Sequence, residues 1–440
     1  MTEEPLDELG DRMSADPSDA GSDPSDAEPV EAQAAPVSPL LTLRDGLTPV
    51  VDTDAGLRTA AEALAAGTGP VGVDAERASG YRYSNRAYLI QLRREGSGTW
   101  LIDPIGLSTL DPLIEALDGV DWILHAATQD LPCLAEIGLK PTAGLFDTEL
   151  AGRLLGYPRV GLATLVETVL GFHMKKEHSA ADWSTRPLPA AWLEYAALDV
   201  EVLVELRDAL ARELDETGKA EWARQEFEAE RSFELVPRTD AWRRTSGMHR
   251  IRSRRELGVI KALWEARDEI AQQRDVTPGR IIPDAAIVVA AAAMPTDRAA
   301  LLGLKGFHGR GAERYSSRWI SAIKEVLALE ESELPPRNPR SEGGPPPPRA
   351  WADKDPVAAR RLTLARESMT ALAEERKVPL ENLLTPDYLR RAMWTPPQTR
   401  DPGALLDEVA SQLSGYGARG WQIALTAPLL VDAILGAEQS

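Results

Sequence analysis

The sequence contains a single cysteine, Cys133, among its 440 residues. One thiol cannot form an intramolecular disulfide, and it cannot supply the set of thiolates that Cys-based zinc sites use. The chain also lacks an apolar run approaching the ~18–20 residues that span a bilayer, and its acidic start is unlike a secretory signal. These absences indicate a cytoplasmic protein without a membrane partner.

Several catalytic patterns are missing as well. No Ser-His-Asp or Cys-His arrangement stands out in the sequence. The glycine pair at 343–344 lacks the Lys-Ser/Thr that a phosphate-binding loop requires, so the use of a nucleoside triphosphate is not supported. We expect chemistry that depends on other side chains.

The negative charge of the chain, −20 overall, is unevenly distributed. Residues 1–40 hold eleven Asp/Glu and one Arg, and a stretch this polar cannot bury enough apolar surface to offset its ordering entropy. We therefore predict a disordered acidic tail over residues 1–45. Residues 240–320 hold fifteen Lys/Arg against nine Asp/Glu. This basic stretch in an acidic chain suggests a surface for a polyanion.

The part of the chain that follows the tail has a mixed α/β pattern. Apolar runs at 71–73, 88–92 and 100–102 are separated by short loops, which predicts an antiparallel meander. Short apolar strands at 122–124 and 145–146 then alternate with segments of helical spacing, at 110–117, 131–137, 162–170 and 190–210. This order predicts a mixed sheet covered by helices.

Beyond about residue 215 the pattern is helical, interrupted by a proline-rich stretch. Residues 267–278 share an Arg-acid pair and a later Val and Pro with residues 366–380. This weak repetition predicts two related all-helical modules separated by an extended linker.

Carboxylates occur where the predicted strands and helices end. Asp74 and Glu76 follow an apolar run, and residues two apart in a strand point to the same face. Two like charges at that separation repel, so a bound cation is expected between them, and oxygen ligands suit Mg²⁺ or Mn²⁺. Asp130 lies at a strand–helix boundary, and Tyr195 precedes Asp199 by one helical turn.

Each of these features also has a structural interpretation. An Asp-x-Glu pair occurs often by chance, Asp130 has the position of a helix N-cap, and Tyr195 with Asp199 has the spacing of a surface pair. Considered singly, each residue is more often structural than catalytic. Their order along the chain and their placement on one sheet favour a common site.

The sequence around these residues resembles a known family. Val-Asp-Ala-Glu-Arg at 73–77, His-Ala-Ala-Thr-Gln-Asp-Leu at 125–131 and Tyr-Ala-Ala-Leu-Asp at 195–199 resemble the three exonuclease motifs of the DEDDy superfamily. Phe-Asp-Thr at 146–148 and Asp-Trp-Ser-Thr-Arg-Pro-Leu at 182–188 resemble bacterial ribonuclease D. The resemblance implies an α/β, ribonuclease H-like fold and a 3′→5′ exonuclease that uses two divalent metal ions, Mg²⁺ or Mn²⁺.

Carried over by position, the resemblance implies that Asp74, Glu76, Asp130 and Asp199 are metal ligands and that Tyr195 positions the attacking water. The residue types fit this chemistry, because two metal ions ~3.5–4 Å apart can activate a water and stabilise the leaving oxygen. With a reference pKa of about 10, Tyr195 is suited to orienting water rather than to removing its proton.

Candidate nucleic-acid contacts lie in two regions. In the exonuclease part they are His125, Trp183 and Arg186, although His125 could be packing at a strand end and the other two could anchor a loop. The glycine-rich segment 305–311 would expose backbone N–H groups to a phosphate, and a plain helix–helix turn is its alternative. The basic candidates in and after this segment are Lys305, His308, Arg310 and Arg314.

The resemblance covers about residues 46–330 and includes a helicase-and-RNase-D C-terminal (HRDC) domain. From it and from the composition we predict five segments after the tail: an exonuclease domain (46–215), a helical connector (216–250), an HRDC domain (251–333), a Pro-rich linker (334–355) and a second HRDC-like helical domain (356–440).

Together these features predict a monomeric, metal-dependent 3′→5′ exoribonuclease that trims structured RNA, with tRNA precursors as the substrates that the resemblance implies. One alternative is an exonuclease acting on DNA, because recognition of the ribose 2′-OH cannot be read from sequence. Another is a catalytically inactive nucleic-acid-binding protein that acts through its helical modules. The retained set of four carboxylates and a tyrosine argues against this last alternative.

Overall fold

The computed structural model describes residues 38–175, 180–235, 239–337 and 344–438. Residues 1–37 of the predicted acidic tail therefore lie outside the described residues. The same holds for residues 338–343 of the predicted Pro-rich linker.

Residues 38–45, which the sequence analysis includes in the tail, are packed against the first domain. Leu41 is buried, and its backbone N–H donates to the carbonyl oxygen of His173 (2.8 Å). The Nε of Arg44 forms an ion pair with Glu201 at 2.7 Å. The folded part of the chain thus begins before residue 46.

Six strands within the described residues form one mixed sheet: β1 (Val50–Val51), β2 (Thr68–Arg77), β3 (Ala87–Glu95), β4 (Gly98–Ile102), β5 (Trp122–Leu124) and β6 (Leu145–Asp147). Their spatial order is β1-β4-β3-β2-β5-β6. Strands β2, β3 and β4 pair antiparallel. Strand β5 pairs parallel with β2, and β6 pairs parallel with β5. The predicted meander and the two later strands are confirmed, whereas β1, parallel to β4, was not predicted.

In the described part of this domain there are seven helices: α1 (Asp54–Ala66), α2 (Asp111–Leu117), α3 (Leu131–Glu136), α4 (Thr148–Leu155), α5 (Leu162–Leu165), α6 (Ala190–Glu201) and α7 (Leu203–Glu216). A π-helical turn, Val166–Leu170, continues α5. The helix predicted over 190–210 is two helices, because the backbone of Val202 leaves the helical region (φ −121°, ψ 12°).

Strand β2 lies between β3 and β5 and separates two packing layers. Its residues Val71, Val73 and Ala75 are buried in the core formed with α1 and α2. Since side chains alternate along a strand, the residues between them face the opposite side, where α6 and α7 pack. Gly72 permits this close packing, because a Cβ there would lie 3.2 Å from the Cβ of Leu203.

The middle of the chain is helical, and the part of it after α8 has a core of its own. It comprises α8 (Ala220–Arg231), α9 (Arg254–Arg274), α10 (Pro278–Ile281), α11 (Asp284–Ala293), α12 (Arg298–Leu302), α13 (Arg310–Arg314) and α14 (Ser316–Ala328). Ser253 and Glu256 form a capping box that begins α9. We call helices α9–α14 the HRDC region. Phe307 and Trp319 are fully buried in its core.

The C-terminal helices share one core with the first domain. They are α15 (Trp351–Lys354), α16 (Pro356–Arg376), α17 (Leu380–Leu383), α18 (Pro386–Trp394), α19 (Pro402–Tyr416) and α20 (Gly420–Glu438). Helix α8 lies at the junction: the ring of Trp222 stacks on Trp421 with centroids 4.7 Å apart, and Trp421 Nε1 donates to Glu226 (2.9 Å). Among the described residues, α20 is the one helix long and apolar enough to cross a membrane by length and composition, and half of its most apolar window is buried in this core.

Helices α9 and α16 correspond in detail. Each has 21 residues and ends at a residue in the left-handed region, Asp275 (φ 45°) and Lys377 (φ 52°) respectively. Each is followed within a few residues by a one-turn helix, α10 or α17. This correspondence supports the repetition seen between residues 267–278 and 366–380.

Candidate active site

Strand β2 and helix α6 bring three carboxylates together. One oxygen from each of Asp74, Glu76 and Asp199 lies within 4.8 Å of the other two, and all three residues are half-buried. Asp74 and Glu76 extend from the same face of β2, because they are two residues apart. Asp199 comes from α6, which packs against β2. Acidic groups from distant parts of the sequence thus meet beside one strand.

Asp130 lies next to this group, between a 3₁₀ turn (Ala127–Gln129) and α3. It is 6% exposed, and its Oδ1 is 3.7 Å from the Nη2 of Arg77. Burial, followed by the nearby charge of Asp74, raises the pKa of Asp130. Its side chain makes no hydrogen bond to the start of α3. Asp130 thus occupies the N-cap position of α3, as the sequence suggested, but its carboxylate does not cap the helix.

Tyr195 lies one turn before Asp199 on α6, and its phenol hydrogen-bonds the Asp199 carboxylate. Burial, then the charges of Asp199 and Glu76, raises the pKa of the phenol above its ordinary value. Tyr195 is thus neutral at physiological pH and acts as a hydrogen-bond donor. Because both residues adjoin the other carboxylates, the surface-pair interpretation does not hold.

The cluster carries more negative charge than its surroundings balance. Burial raises the pKa of Asp74 to about 6, and burial with the charges of Asp74 and Asp199 raises the pKa of Glu76 to about 10. The charge of Arg77 opposes both shifts without cancelling them. Divalent cations would stabilise the ionised carboxylates. The donors of this set are all oxygen atoms, which fits a hard cation such as Mg²⁺ or Mn²⁺.

Two predicted nucleic-acid contacts, Trp183 and Arg186, support the loop in which they lie. Trp183 is 0% exposed, and its ring lies 5.5 Å from that of Trp192, so it cannot touch a ligand in solution. Arg186 forms a two-pronged ion pair with Asp103 (2.5 and 2.8 Å). Its remaining hydrogen bonds go to the backbone carbonyls of Tyr88, Trp183 and Thr185. Both residues thus support their loop. Trp183 is too deeply buried to contact RNA, whereas a contact of the exposed Arg186 with RNA stays a prediction.

His125 is half-buried at the end of β5, and its contact with a nucleic acid stays a prediction. Its Nδ1 lies 2.9 Å from the hydroxyl of Thr148, at the start of α4. Burial lowers the pKa of the imidazole to about 4, so His125 is neutral at physiological pH and offers no charge to a phosphate.

The four basic candidates of the HRDC region, in contrast, are exposed: Lys305, His308, Arg310 and Arg314. Lys305 and His308 line a cavity of about 480 Å³ together with His249 and Arg250, which precede α9. Gly306 adopts φ 93°, and a Cβ there would lie 2.8 Å from the Cβ of Ala286. The glycine is thus explained by the tight turn, and the exposed cations remain candidates for binding.

Three features near the site were not predicted from the sequence. Arg77, which directly follows the predicted ligand Glu76 in the sequence, forms an ion pair with Asp130. Asp147 accepts hydrogen bonds from the turn that leads to Asp130, a role that its position at a strand end could have suggested. The loop after β2 is bonded to α9, a contact between segments too distant in sequence for any local pattern to show.

Family models match three successive parts of the chain. A 3′-5′ exonuclease model matches residues 49–215, an HRDC domain model matches 256–323, and a 3′ to 5′ exonuclease C-terminal domain model matches 344–434. With the mixed sheet and the acidic cluster, these matches define a protein of the 3′-5′ exonuclease class with an HRDC domain. The HRDC-like nature of residues 356–440 stays a prediction.

A curated ribonuclease D from Jannaschia sp. is 32% identical over 278 residues, which cover 60% of this chain and 71% of that relative. The chain belongs to the ribonuclease D family. It spans 61% of the length of two further ribonucleases D, from Gluconacetobacter diazotrophicus and Granulibacter bethesdensis.

Two solved structures have the same fold. A protein from Bifidobacterium adolescentis is 37% identical, with a TM-score of 0.80 over 90% of this chain and 99% of its own. Escherichia coli RNase D, described as an exoribonuclease involved in structured RNA processing, is 24% identical with a TM-score of 0.62, over 84% of this chain and 99% of its own.

Proposed function

We propose that this protein is a metal-dependent 3′→5′ exoribonuclease that shortens structured RNA, tRNA precursors included, by hydrolysing one phosphodiester bond after another. The observation that carries the proposal is the meeting of Asp74, Glu76 and Asp199 within 4.8 Å in a chain of the ribonuclease D family. Three mutually repelling carboxylates are costly to bury, and such an arrangement is typical of a site that binds cations.

The carboxylates of Asp74, Glu76, Asp130 and Asp199 would hold two divalent ions, Mg²⁺ or Mn²⁺. Bound there, the ions supply water activation and relief of charge on the leaving 3′-oxygen. The neutral phenol of Tyr195 orients the attacking water by hydrogen bonding. Arg77 holds Asp130 by its charge and limits the repulsion within the cluster.

Exposed cations of the HRDC region would bind the body of the RNA. Four of these side chains are exposed: Lys305, His308, Arg310 and Arg314. His249 and Arg250 extend this basic surface along the cavity that they line together with Lys305 and His308. The stretch 240–320 carries fifteen Lys/Arg against nine Asp/Glu, in a chain that is acidic elsewhere. Phosphate contacts of this kind give affinity without sequence preference.

The location and assembly belong to the same proposal. We propose a cytoplasmic monomer that needs no nucleoside triphosphate, because hydrolysis by bound cations consumes only water. The long apolar helix α20 packs into the core shared with the first domain, as a helix of a water-soluble fold does.

A ladder assay tests the activity. RNA and single-stranded DNA of the same sequence, both 5′-labelled, are incubated with the full chain in Mg²⁺ or Mn²⁺, with EDTA and the Asp74→Asn variant as controls. We expect progressive shortening of RNA from its 3′ end, abolished by either control. Faster shortening of DNA would replace the proposal by a DNA exonuclease. A wild-type chain that binds RNA without shortening it would indicate an inactive binding protein.

A further inference from the structure

Asp147 ends strand β6 and accepts four hydrogen bonds from backbone amides. Two come from Glu149 (2.7 Å) and Leu150 (3.1 Å), the usual bonds of a helix N-cap, here at α4. The other two come from Ala126 (3.0 Å) and Ala127 (2.6 Å), in a different segment. The residue is 1% exposed, so water does not compete for these bonds. Capping α4 does not require the second pair.

The two alanines begin the turn that carries Asp130. The N–H of Gln129 donates to the carbonyl of Ala126 (2.9 Å), and the N–H of Asp130 donates to that of Ala127 (3.1 Å). Ala126 has left-handed backbone angles (φ 60°, ψ 53°), which are unfavourable for a residue with a Cβ atom. Such a conformation persists only where its surroundings hold it. The two backbone N–H groups that donate hydrogen bonds to Asp147 are the first two of this turn.

The sheet register explains how Asp147 reaches the turn. Asp147 lies opposite Leu124 in the parallel pairing of β5 and β6, and the turn starts immediately after β5. The next residue, Thr148, bonds to the same stretch: its hydroxyl donates to the carbonyl of Leu124 (3.2 Å) and lies 2.9 Å from His125 Nδ1. The start of α4 therefore fixes the chain continuously from the end of β5 into the turn.

We propose that Asp147 is a positioning residue, which acts through the amides of Ala126 and Ala127 to hold Asp130 beside Asp74 before any cation binds. The proposal rests on the proposed function of the carboxylate cluster as a cation site. It assigns to Asp147 no contact with cation or substrate. Residues that orient metal ligands in this indirect way typically contribute about 10–100-fold to metal affinity.

Mn²⁺ binding to the full-length, RNA-free chain tests this role. In Asp147→Ser the hydroxyl can still cap α4 but is too short to serve both segments. We expect its Mn²⁺ affinity, measured by calorimetry and electron paramagnetic resonance, to fall about tenfold or more. Asp401→Ser is the matched control, because Asp401 caps α19 through Ala404 and lies in the C-terminal helices. It should retain wild-type affinity. Wild-type affinity in Asp147→Ser would reduce Asp147 to a helix cap.

Hydrogen exchange of the metal-free wild-type chain provides a test that no folding defect can obscure. We expect the amides of Ala126 and Ala127 to exchange as slowly as those of α4, and about tenfold faster in Asp147→Ser if that variant folds. Rapid exchange of residues 126–130 in the wild type, with protection only after Mn²⁺ is added, would overturn the proposal. Because neither measurement uses RNA, a chain that hydrolyses nothing contradicts the proposed activity alone.

Discussion

The phenol of Tyr83 donates a hydrogen bond to Asp268, with 2.9 Å between the two oxygen atoms. Tyr83 belongs to the loop after β2, the strand that bears Asp74 and Glu76, and Asp268 lies on α9 of the HRDC region. Asp275, at the end of α9, accepts from the backbone N–H groups of Tyr83 (3.1 Å) and Ser84 (2.8 Å). The HRDC region, which would bind the body of the RNA, is thus bonded through α9 to the loop that follows the strand of Asp74 and Glu76.

Breaking this docking should affect long substrates selectively. Asp275→Ala removes both backbone bonds, each worth about 1 kcal/mol. We expect kcat/KM for a structured RNA to fall about tenfold, while hydrolysis of a trinucleotide is unchanged. Asp275→Asn is the control, because asparagine keeps one acceptor oxygen and tolerates the left-handed backbone. Equal losses on both substrates would show that the docking supports the catalytic site itself.

Neutralising Glu76 should stabilise the metal-free protein while destroying its activity. Because burial and the neighbouring carboxylates raise the pKa of Glu76 to about 10, its ionised form is unfavourable in the fold. We expect Glu76→Gln to raise Tm in EDTA, to gain less Tm from Mn²⁺ than the wild type, and to lose more than about 100-fold in activity. Glu95→Gln, at the exposed end of β3, should change none of these. A lower Tm of Glu76→Gln than of the wild type in EDTA would argue against unfavourable ionisation of Glu76 in the carboxylate cluster.

The basic surface should show itself in the salt dependence of RNA binding. Replacing Lys305, Arg310 or Arg314 by Ala should weaken binding of structured RNA and lower the slope of log affinity against log salt by about one for each phosphate that is no longer neutralised. Lys324→Ala is the control, since Lys324 is exposed on α14 of the same region. If all four variants behave alike, the RNA lies elsewhere.

Glu230 should make stability depend on pH. Its carboxyl lies against Asp147, and burial, followed by the charges of Asp147 and Glu226, raises its pKa from about 4.5 to about 9. A raised pKa contributes stability that is complete below about pH 4.5 and is lost as the pH rises through 9. The Tm of Glu230→Gln relative to wild type should therefore increase from pH 5 to pH 9.

The matched control for this measurement is Glu228→Gln. Glu228 lies on the same helix, is exposed, and pairs with Arg231. Its Tm difference from wild type should not increase with pH. A flat difference for Glu230→Gln would indicate that Glu230 is ionised in the fold.

Much of the sheet could be predicted, because β5 is apolar along its whole length, the first half of β3 is largely apolar, and turns bound both strands. Strand β1 has two residues and therefore no periodicity to detect. Helix α1 is rich in alanine, which gives its buried face little contrast with its exposed face. The break between α6 and α7 at Val202 depends on packing and leaves no local signal.

At the site, spacing alone could place Asp74 with Glu76 and Tyr195 with Asp199, since the periods of strand and helix fix which residues share a face. That the two pairs meet is a property of the tertiary fold. Trp183 shows where prediction from local composition fails. An aromatic residue in a polar loop has the composition of a binding contact, and only the complete burial of its side chain shows that it is core.

The stacked rings of Trp222 and Trp421 have a consequence for biosynthesis. The residues that join at this junction, such as Glu226 and Trp421, are 195 positions apart, and α20 is the last helix described. Until α20 has been translated, the face of α8 that carries Trp222 has no cover and can associate with other nascent chains. A stop codon before α20 would thus yield an aggregation-prone product rather than a shortened enzyme.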